Sequence, residues 1–287
     1  DNYLKIKNIS LYLSTHGYKY FNLLVNLLVL SYKGKIIQDM KNNNLIDFID
    51  QHNPDVICLQ ELKCETSKFP YELLSHLPYN LYINGQKSYN GVAILSKIPA
   101  DEVKTDFPGN LLSDQARFIE ICFNSFMGFT RVISLYAPNG GGEVGSDKFQ
   151  MKLKFYDQFT DYINNLVSYD EKLFIGADYN IAPFDIDVYD PDNLQDTTCF
   201  TIVEKARMRK ILNSGFVDNF RIIHPEKKEF SWWDYRAGAF EQNKGMRIDA
   251  ILSSSNTLPF LKDCFIDYQT RTQSKPSDHA PVIAVYE

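Results

Sequence analysis

No apolar run in this chain reaches the ~18 residues that a membrane-spanning helix needs. The most apolar stretch, residues 20–32, is interrupted by Asn22 and Asn26 and reads as a buried strand or helix of the core. Cysteine is scarce. The five are scattered, odd in number and without a Cys-x-x-Cys pair, which argues against a disulfide framework or a thiolate zinc site and for a reducing cytoplasm. Glycine (14) and proline (12) are too few for a collagen-like or low-complexity chain. Gly-x-Ser-x-Gly and P-loop patterns are both missing, which disfavours serine-hydrolase and Walker-type chemistry. A positive surplus is missing too. The 36 acids outnumber 30 bases for a net charge of −6, so a nucleic-acid partner would have to be met by a local basic face.

What is present is core material. The 287 residues are 44% hydrophobic, with 20 Phe and 18 Tyr, ample for a full core. From residue 41 onward, short apolar runs alternate with amphipathic segments. Leu45, Phe48 and Ile49 have helical spacing, and Asn53-Pro54 stops that helix. Strands are expected at residues 56–59, 91–95, 173–176, 230–233, 247–252 and 281–286, with 118–123 and 131–135 as an antiparallel pair around Gly128. Phe149, Leu153, Tyr156, Phe159, Ile163 and Leu166 predict a long helix over 147–167, and a second helix is expected over 200–213. No linker or repeat divides the chain, so one α/β domain is expected.

One pattern recurs. Polar residues stand just beyond the ends of predicted strands: Glu61, Tyr136 with Asn139, Asp178 with Asn180, Asp249, and Asp278-His279. Singly, an Asp after a strand is a turn residue. Five such events together mark the strand ends where α/β folds place their sites. Glu61 and Asp278 offer hard oxygens suited to Mg²⁺ or Mn²⁺. Asp178 and Asn180, two apart, point to one side of an extended segment, where they can aim a water. His279 can stabilise a phosphoryl oxygen if a carboxylate holds its tautomer, and Asp249 could be that carboxylate. This set suits metal-assisted attack of water on a phosphodiester.

The segments around these residues carry a resemblance. Asn53-Pro-Asp-Val-Ile-Cys-Leu-Gln-Glu61-Leu-Lys63, Tyr136-Ala-Pro-Asn139-Gly, Gly176-Ala-Asp178-Tyr-Asn180-Ile-Ala-Pro183, Phe230-Ser-Trp-Trp-Asp-Tyr-Arg236, Gly245-Met-Arg-Ile-Asp249 and Ser277-Asp278-His279-Ala-Pro281-Val follow one another in the order seen in the exonuclease III family of apurinic/apyrimidinic endonucleases. The resemblance covers residues 45–286. It implies a four-layer α/β sandwich of two packed mixed sheets with outer helices. It also implies Mg²⁺-dependent cleavage of duplex DNA 5′ to abasic sites, removal of 3′ blocking groups and 3′-5′ exonuclease activity, by a monomer. By motif, Glu61 is a metal ligand, with Asp278, Asp178 and Asn180 assisting at the metal. Asp178 and Asn180 position the water or leaving group, His279 with Asp249 contacts the scissile phosphate, and Tyr136 and Asn139 line the pocket.

Residues 1–44 depart from the family. Where its first strand ends in an Asn-x-Asn element, the matching spacing from Glu61 falls on Tyr32-Lys33-Gly34-Lys35, and Asn8 and Asn22 are the nearest look-alikes. This divergent segment precedes the catalytic domain of residues 45–287 and is a candidate for its first strand. For DNA, residues 200–247 hold ten bases against six acids, with aromatics interleaved. Trp233 is the expected abasic-sugar contact, and Lys63, Arg117, Arg236 and Asn139 are the expected phosphate and DNA contacts. Two other readings stay open: a related phosphoesterase acting on RNA, phosphoinositide or sphingolipid, and a DNA-binding relic whose altered amino end prevents metal binding.

Overall fold

The structure is a computed structural model that describes residues 44–287 and, before them, the strand course of Leu27–Lys33. In chain order the strands are β1 (Leu27–Lys33), β2 (Val56–Gln60), β3 (Asn80–Asn84), β4 (Val92–Ser96), β5 (Glu102–Lys104), β6 (Phe118–Ser125), β7 (Gly128–Tyr136), β8 (Lys172–Asp178), β9 (Phe216–Asp218), β10 (Trp232–Trp233), β11 (Gly245–Met246), β12 (Asp249–Ser254), β13 (Leu261–Ile266) and β14 (Val282–Tyr286). The α-helices are α1 (Asn44–His52), α2 (Tyr71–Leu74), α3 (Asp147–Val167), α4 (Pro191–Leu194), α5 (Ile202–Asn213) and α6 (Asn219–Ile223).

Two six-stranded mixed sheets form, in the orders β13-β14-β1-β2-β4-β3 and β5-β6-β7-β8-β12-β9. Strand periodicity explains their layering, because alternate residues face opposite sides. In β2, Val56 and Cys58 join the core between the sheets, where they meet Ile121, Val132, Phe174 and Ile251. Ile57 and Leu59 face the other way, onto Leu45, Phe48 and Ile49 of α1. In β8, Phe174 faces inward while Leu173 and Ile175 pack beneath α3 and α5. The result is helix, sheet, sheet, helix. With both faces covered, the central strands read as unbroken apolar runs.

α3 spans the range its periodicity predicts. The Ser146 side chain caps it by accepting from the Phe149 backbone N–H, and each fully buried aromatic on its inner face contributes about 1.5–3 kcal/mol. α5 starts two residues after the predicted onset, because Thr201 caps it and closes a capping box with Glu204 there. The predicted strand at 230–233 shrinks to β10, paired with β11. The strand predicted at 247–252 starts at Asp249, because the Arg247 backbone N–H is drawn away to the Asp187 carbonyl. Of residues 20–32, the part from Leu27 forms β1, parallel to β2 and antiparallel to β14. Asn8 and Asn22 lie outside the described residues.

The topology gathers strand ends. β7 and β8 are parallel and joined through α3, which sets Tyr136 opposite Asp178. β12 runs antiparallel to β8 and sets Asp249 on the other side of Asp178. On the facing sheet, β2 ends at Gln60-Glu61, beside the end of β1 and the start of β14. An isolated bridge between Trp232 and His279 ties the small hairpin to this same region.

Candidate active site

A cavity of about 470 Å³ opens where these strand ends meet. Glu61, Lys63, Tyr136, Asn139, Asn180, Asp278 and His279 line it. Asp178 and Asp249 are buried and bonded to residues of its wall.

The Asp249 carboxylate is held from two sides. His279 Nδ1 lies 2.7 Å from its Oδ2, and the Ser231 hydroxyl donates to the same oxygen at 2.7 Å. Ser231 Oγ in turn accepts the backbone N–H groups of Ile248 and Asp249. Nδ1–H is thus directed to Asp249, and His279 itself lines the cavity.

Asp178 and Asn180 do meet, though not on an extended segment. β8 ends at Asp178, and Asn180 takes a left-handed conformation with φ of 50°. Asp178 Oδ1 accepts the Asn180 backbone N–H at 2.9 Å, so a tight turn brings the pair together. The Asn180 amide donates to Ala137 O at 2.9 Å and accepts from Asn139 Nδ2 at 3.2 Å. Those bonds fix which way its oxygen and nitrogen point.

Glu61 also stands at a positive φ, 60°, just past β2. Its Oε1 accepts from the Tyr136 hydroxyl at 3.3 Å and lies 3.0 Å from Lys63 Nζ. Asp278 Oδ2 accepts the Trp232 indole N–H at 3.0 Å. Among the described residues, one group of His, Cys, Asp or Glu ligand-type atoms gathers within 4.8 Å: Asp178, Asp249 and His279. Asp249 Oδ2 accepts from an imidazole and a hydroxyl. Glu61 and Asp278 bring two further carboxylates to the cavity lining.

Three expected DNA contacts do not line the cavity. Trp233 is 1% exposed and packs against Phe230, Phe240 and Tyr268. Its neighbour Trp232 turns into the cavity instead, because adjacent strand residues face opposite ways. Arg236 is not a lining residue, and its guanidinium pairs with Asp234 at 2.6 Å. Arg117 is folded onto Tyr136, stacked 5.0 Å from the ring and donating to the Tyr136 carbonyl at 3.1 Å. Burial lowers its pKa, against the opposing pull of Tyr136, Asp178 and Glu61.

The basic segment is largely neutralised in place. Arg207 and Lys210 pair with Asp157, Lys205 with Asp185, and Arg221 and Arg247 with Asp187. Trp232 and Tyr235, marked among the interleaved aromatics of the basic segment, do line the cavity, and Met246 and Ile248, given no role from the sequence, line it with them. Ser231 was missed as well. A lone hydroxyl between aromatics in an apolar strand is the signal that could have marked it.

Comparison with known proteins agrees with this geometry. The sequence profile of the Endonuclease/Exonuclease/phosphatase family matches residues 21–279. Exodeoxyribonuclease III of Haemophilus influenzae is 35% identical over 246 residues, covering 83% of this chain and 92% of the relative. The 3′-5′ exonuclease NExo of Neisseria meningitidis superposes with a TM-score of 0.85 at 33% identity, over 91% of this chain and 100% of that one. An AP endonuclease from Archaeoglobus fulgidus superposes with a TM-score of 0.85 at 32% identity, over 91% and 99%. Among the described residues no helix is long and apolar enough to cross a membrane. On its fold, its clustered strand-end residues and these matches, the chain belongs to the endonuclease/exonuclease/phosphatase family, in the branch of exodeoxyribonuclease III and the AP endonucleases.

Proposed function

We propose that this protein is a DNA-repair phosphodiesterase that cuts duplex DNA 5′ to abasic sites and clears blocked 3′ ends with Mg²⁺ or Mn²⁺. The observation that carries the reading is His279 lining one cavity, backed by its bond to Asp249, beside the Asp178–Asn180 turn. A phosphodiester seated between them meets a ring nitrogen on one side and a carboxylate on the other.

The donor set fits a hard divalent cation, since Glu61 and Asp278 bring carboxylate oxygens to the same cavity. A cation held there would neutralise charge building on the phosphoryl oxygens. Asp249 fixes the tautomer of His279, whose Nε2 then faces a non-bridging oxygen as a donor when the ring is protonated. Asp178, oriented by Asn180, takes a proton from the attacking water. The water oxygen bonds to phosphorus and the bond to the 3′ oxygen breaks. That oxygen takes up a proton from water and leaves as a 3′-hydroxyl, and the other fragment keeps the phosphate. Trp232, Met246 and Ile248 give a base-free sugar an apolar surface.

Two solved neighbours of equal similarity are a 3′-5′ exonuclease and an AP endonuclease. The test therefore uses two duplexes, one with an internal abasic analogue and one with a 3′-phosphate. The expected result is Mg²⁺-dependent product from both, absent with EDTA and with Asp178→Asn. Product from neither, with a folded protein, would refute the reading.

A further inference from the structure

We propose that Lys152, paired with Glu204, is a positioning residue that holds the Asn180 turn and the Asn139 loop in their working places. The inference rests on the functional reading above and goes beyond it, since neither residue reaches the cavity. Both are 0% exposed. A fully buried ammonium is costly unless every proton is accepted. Here Lys152 Nζ donates to Asn180 O at 2.7 Å, to Asn139 O at 3.2 Å and to Glu204 Oε1. These acceptors match its three protons.

Glu204 extends the brace to a further wall of the cavity. Its Oε1 accepts the Cys199 backbone N–H at 3.1 Å, and its Oε2 accepts the Thr201 N–H at 3.0 Å and hydroxyl at 2.7 Å. Asn139, Asn180 and Cys199 all line the cavity. One ion pair thus fastens three separate loops from behind.

The brace acts where the backbone has reason to relax. Asn180 holds a left-handed φ that a non-glycine residue keeps only when its surroundings fix it. Gly140, at φ 93°, lies so close that a Cβ there would come 3.0 Å from Lys152 Cδ. One helical turn beyond Lys152, the Tyr156 hydroxyl donates to the Tyr179 carbonyl. α3 therefore presents donors to two successive carbonyls, those of Tyr179 and Asn180, immediately after Asp178.

The test compares Lys152→Met, Lys152→Arg and the double variant Lys152→Met/Glu204→Gln. Each is measured for melting temperature, for kcat and KM on the abasic duplex with Mg²⁺, and for hydrogen exchange of peptides covering 137–141 and 178–182. Lys152→Met leaves a buried carboxylate unpaired and lowers the melting temperature. The double variant removes both charges and recovers it. Its kcat stays ~10–100-fold low, because small misplacements of reacting groups are expensive. Its KM stays within ~3-fold, since no substrate contact is lost. Lys152→Arg restores most of kcat, and exchange at 178–182 rises in the double variant. Recovery of kcat together with melting temperature would reduce the pair to a stability element and overturn the proposal. If the wild type cuts neither duplex, the functional reading fails by itself. Exchange then decides the positioning role: a rise at 178–182 upholds it and no change overturns it.

Discussion

His279 and Asp249 are 30 residues apart in the chain, yet His279 Nδ1 lies 2.7 Å from Asp249 Oδ2. They meet because Asp249 opens β12 beside Asp178, while His279 bridges to Trp232 at the hairpin. Ser231 secures the arrangement from the same hairpin.

That geometry sets the first prediction. Asp249→Asn replaces an acceptor with a group that can present N–H to the ring, so His279 loses its fixed tautomer. We expect kcat to fall ~10²–10⁴-fold with folding intact. Ser231→Ala keeps the carboxylate but frees its orientation and strands two backbone N–H groups. Its stability should drop about 1–3 kcal/mol. Steady-state kinetics and urea titration of both variants check this, and an active Asp249→Asn enzyme would remove the pair from the mechanism.

Metal binding gives the second prediction. If Glu61 is a ligand, Mg²⁺ raises the melting temperature of the wild type, by about 2.7 kcal/mol of stability at a hundredfold excess over Kd. Glu61→Ala should abolish most of that rise and leave Lys63 without its 3.0 Å partner. A thermal-shift titration needs no substrate, so it reads the site directly. An unchanged Mg²⁺ response in Glu61→Ala would move the ligand role elsewhere.

The two tryptophans should separate cleanly. Trp233→Ala removes a side chain packed on Phe230, Phe240 and Tyr268, and should cost about 3–5 kcal/mol. Trp232→Ala should leave stability within about 1.5 kcal/mol and raise KM for the abasic duplex ~10-fold, through lost apolar contact. Melting curves and KM values test the assignment, and the reverse pattern would restore Trp233 as the contact.

This swap shows where sequence reasoning stopped. The Trp-Trp pair was legible as a site element, but which ring faces the cavity depends on the strand's phase, and β10 is too short for alternation to reveal it. The central strands were legible because both faces are buried and their apolar runs are continuous. β3, β5, β9 and β13 were not foreseen. All four are sheet edges, and β3, β5 and β13 are largely half-buried or exposed. Edge strands are short and polar for good reason. Six motif segments located most of the cavity. Lys152 was invisible because a lysine among helical polar residues reads as surface, and only the carbonyls of distant loops give it a role.

A buried charge network supplies a fourth prediction. Arg247 is fully enclosed, with Nε 2.7 Å from Asp187 Oδ1 and Nη2 2.7 Å from Asp218 Oδ2. Burial alone would lower its pKa, but the two carboxylates override that and push it up. Arg247→Met leaves both acids buried with less charge to face, and about 3–5 kcal/mol should be lost. Urea denaturation measures it. A loss below about 1 kcal/mol would mean that Arg221, also paired with Asp187, carries the network by itself.

The cysteines give the last prediction, through pH. Burial pushes the Cys58 and Cys122 thiols up from 9.0 to about 12. In the unfolded chain they ionise near their ordinary value, so between these pH values the native state binds more protons than the unfolded one. Stability is therefore fully present below about pH 9 and falls as pH climbs toward 12. Denaturation free energy measured from pH 8 to 11 should show this decline, and Cys58→Ala should lessen its slope after allowance for its constant packing loss. The same burial withholds the thiolate from reagents. Iodoacetamide at pH 8 should leave Cys58, Cys122 and Cys264 unmodified in native protein and alkylate them in urea. Modification of Cys58 in the native state would show that the inter-sheet core opens faster than its packing allows.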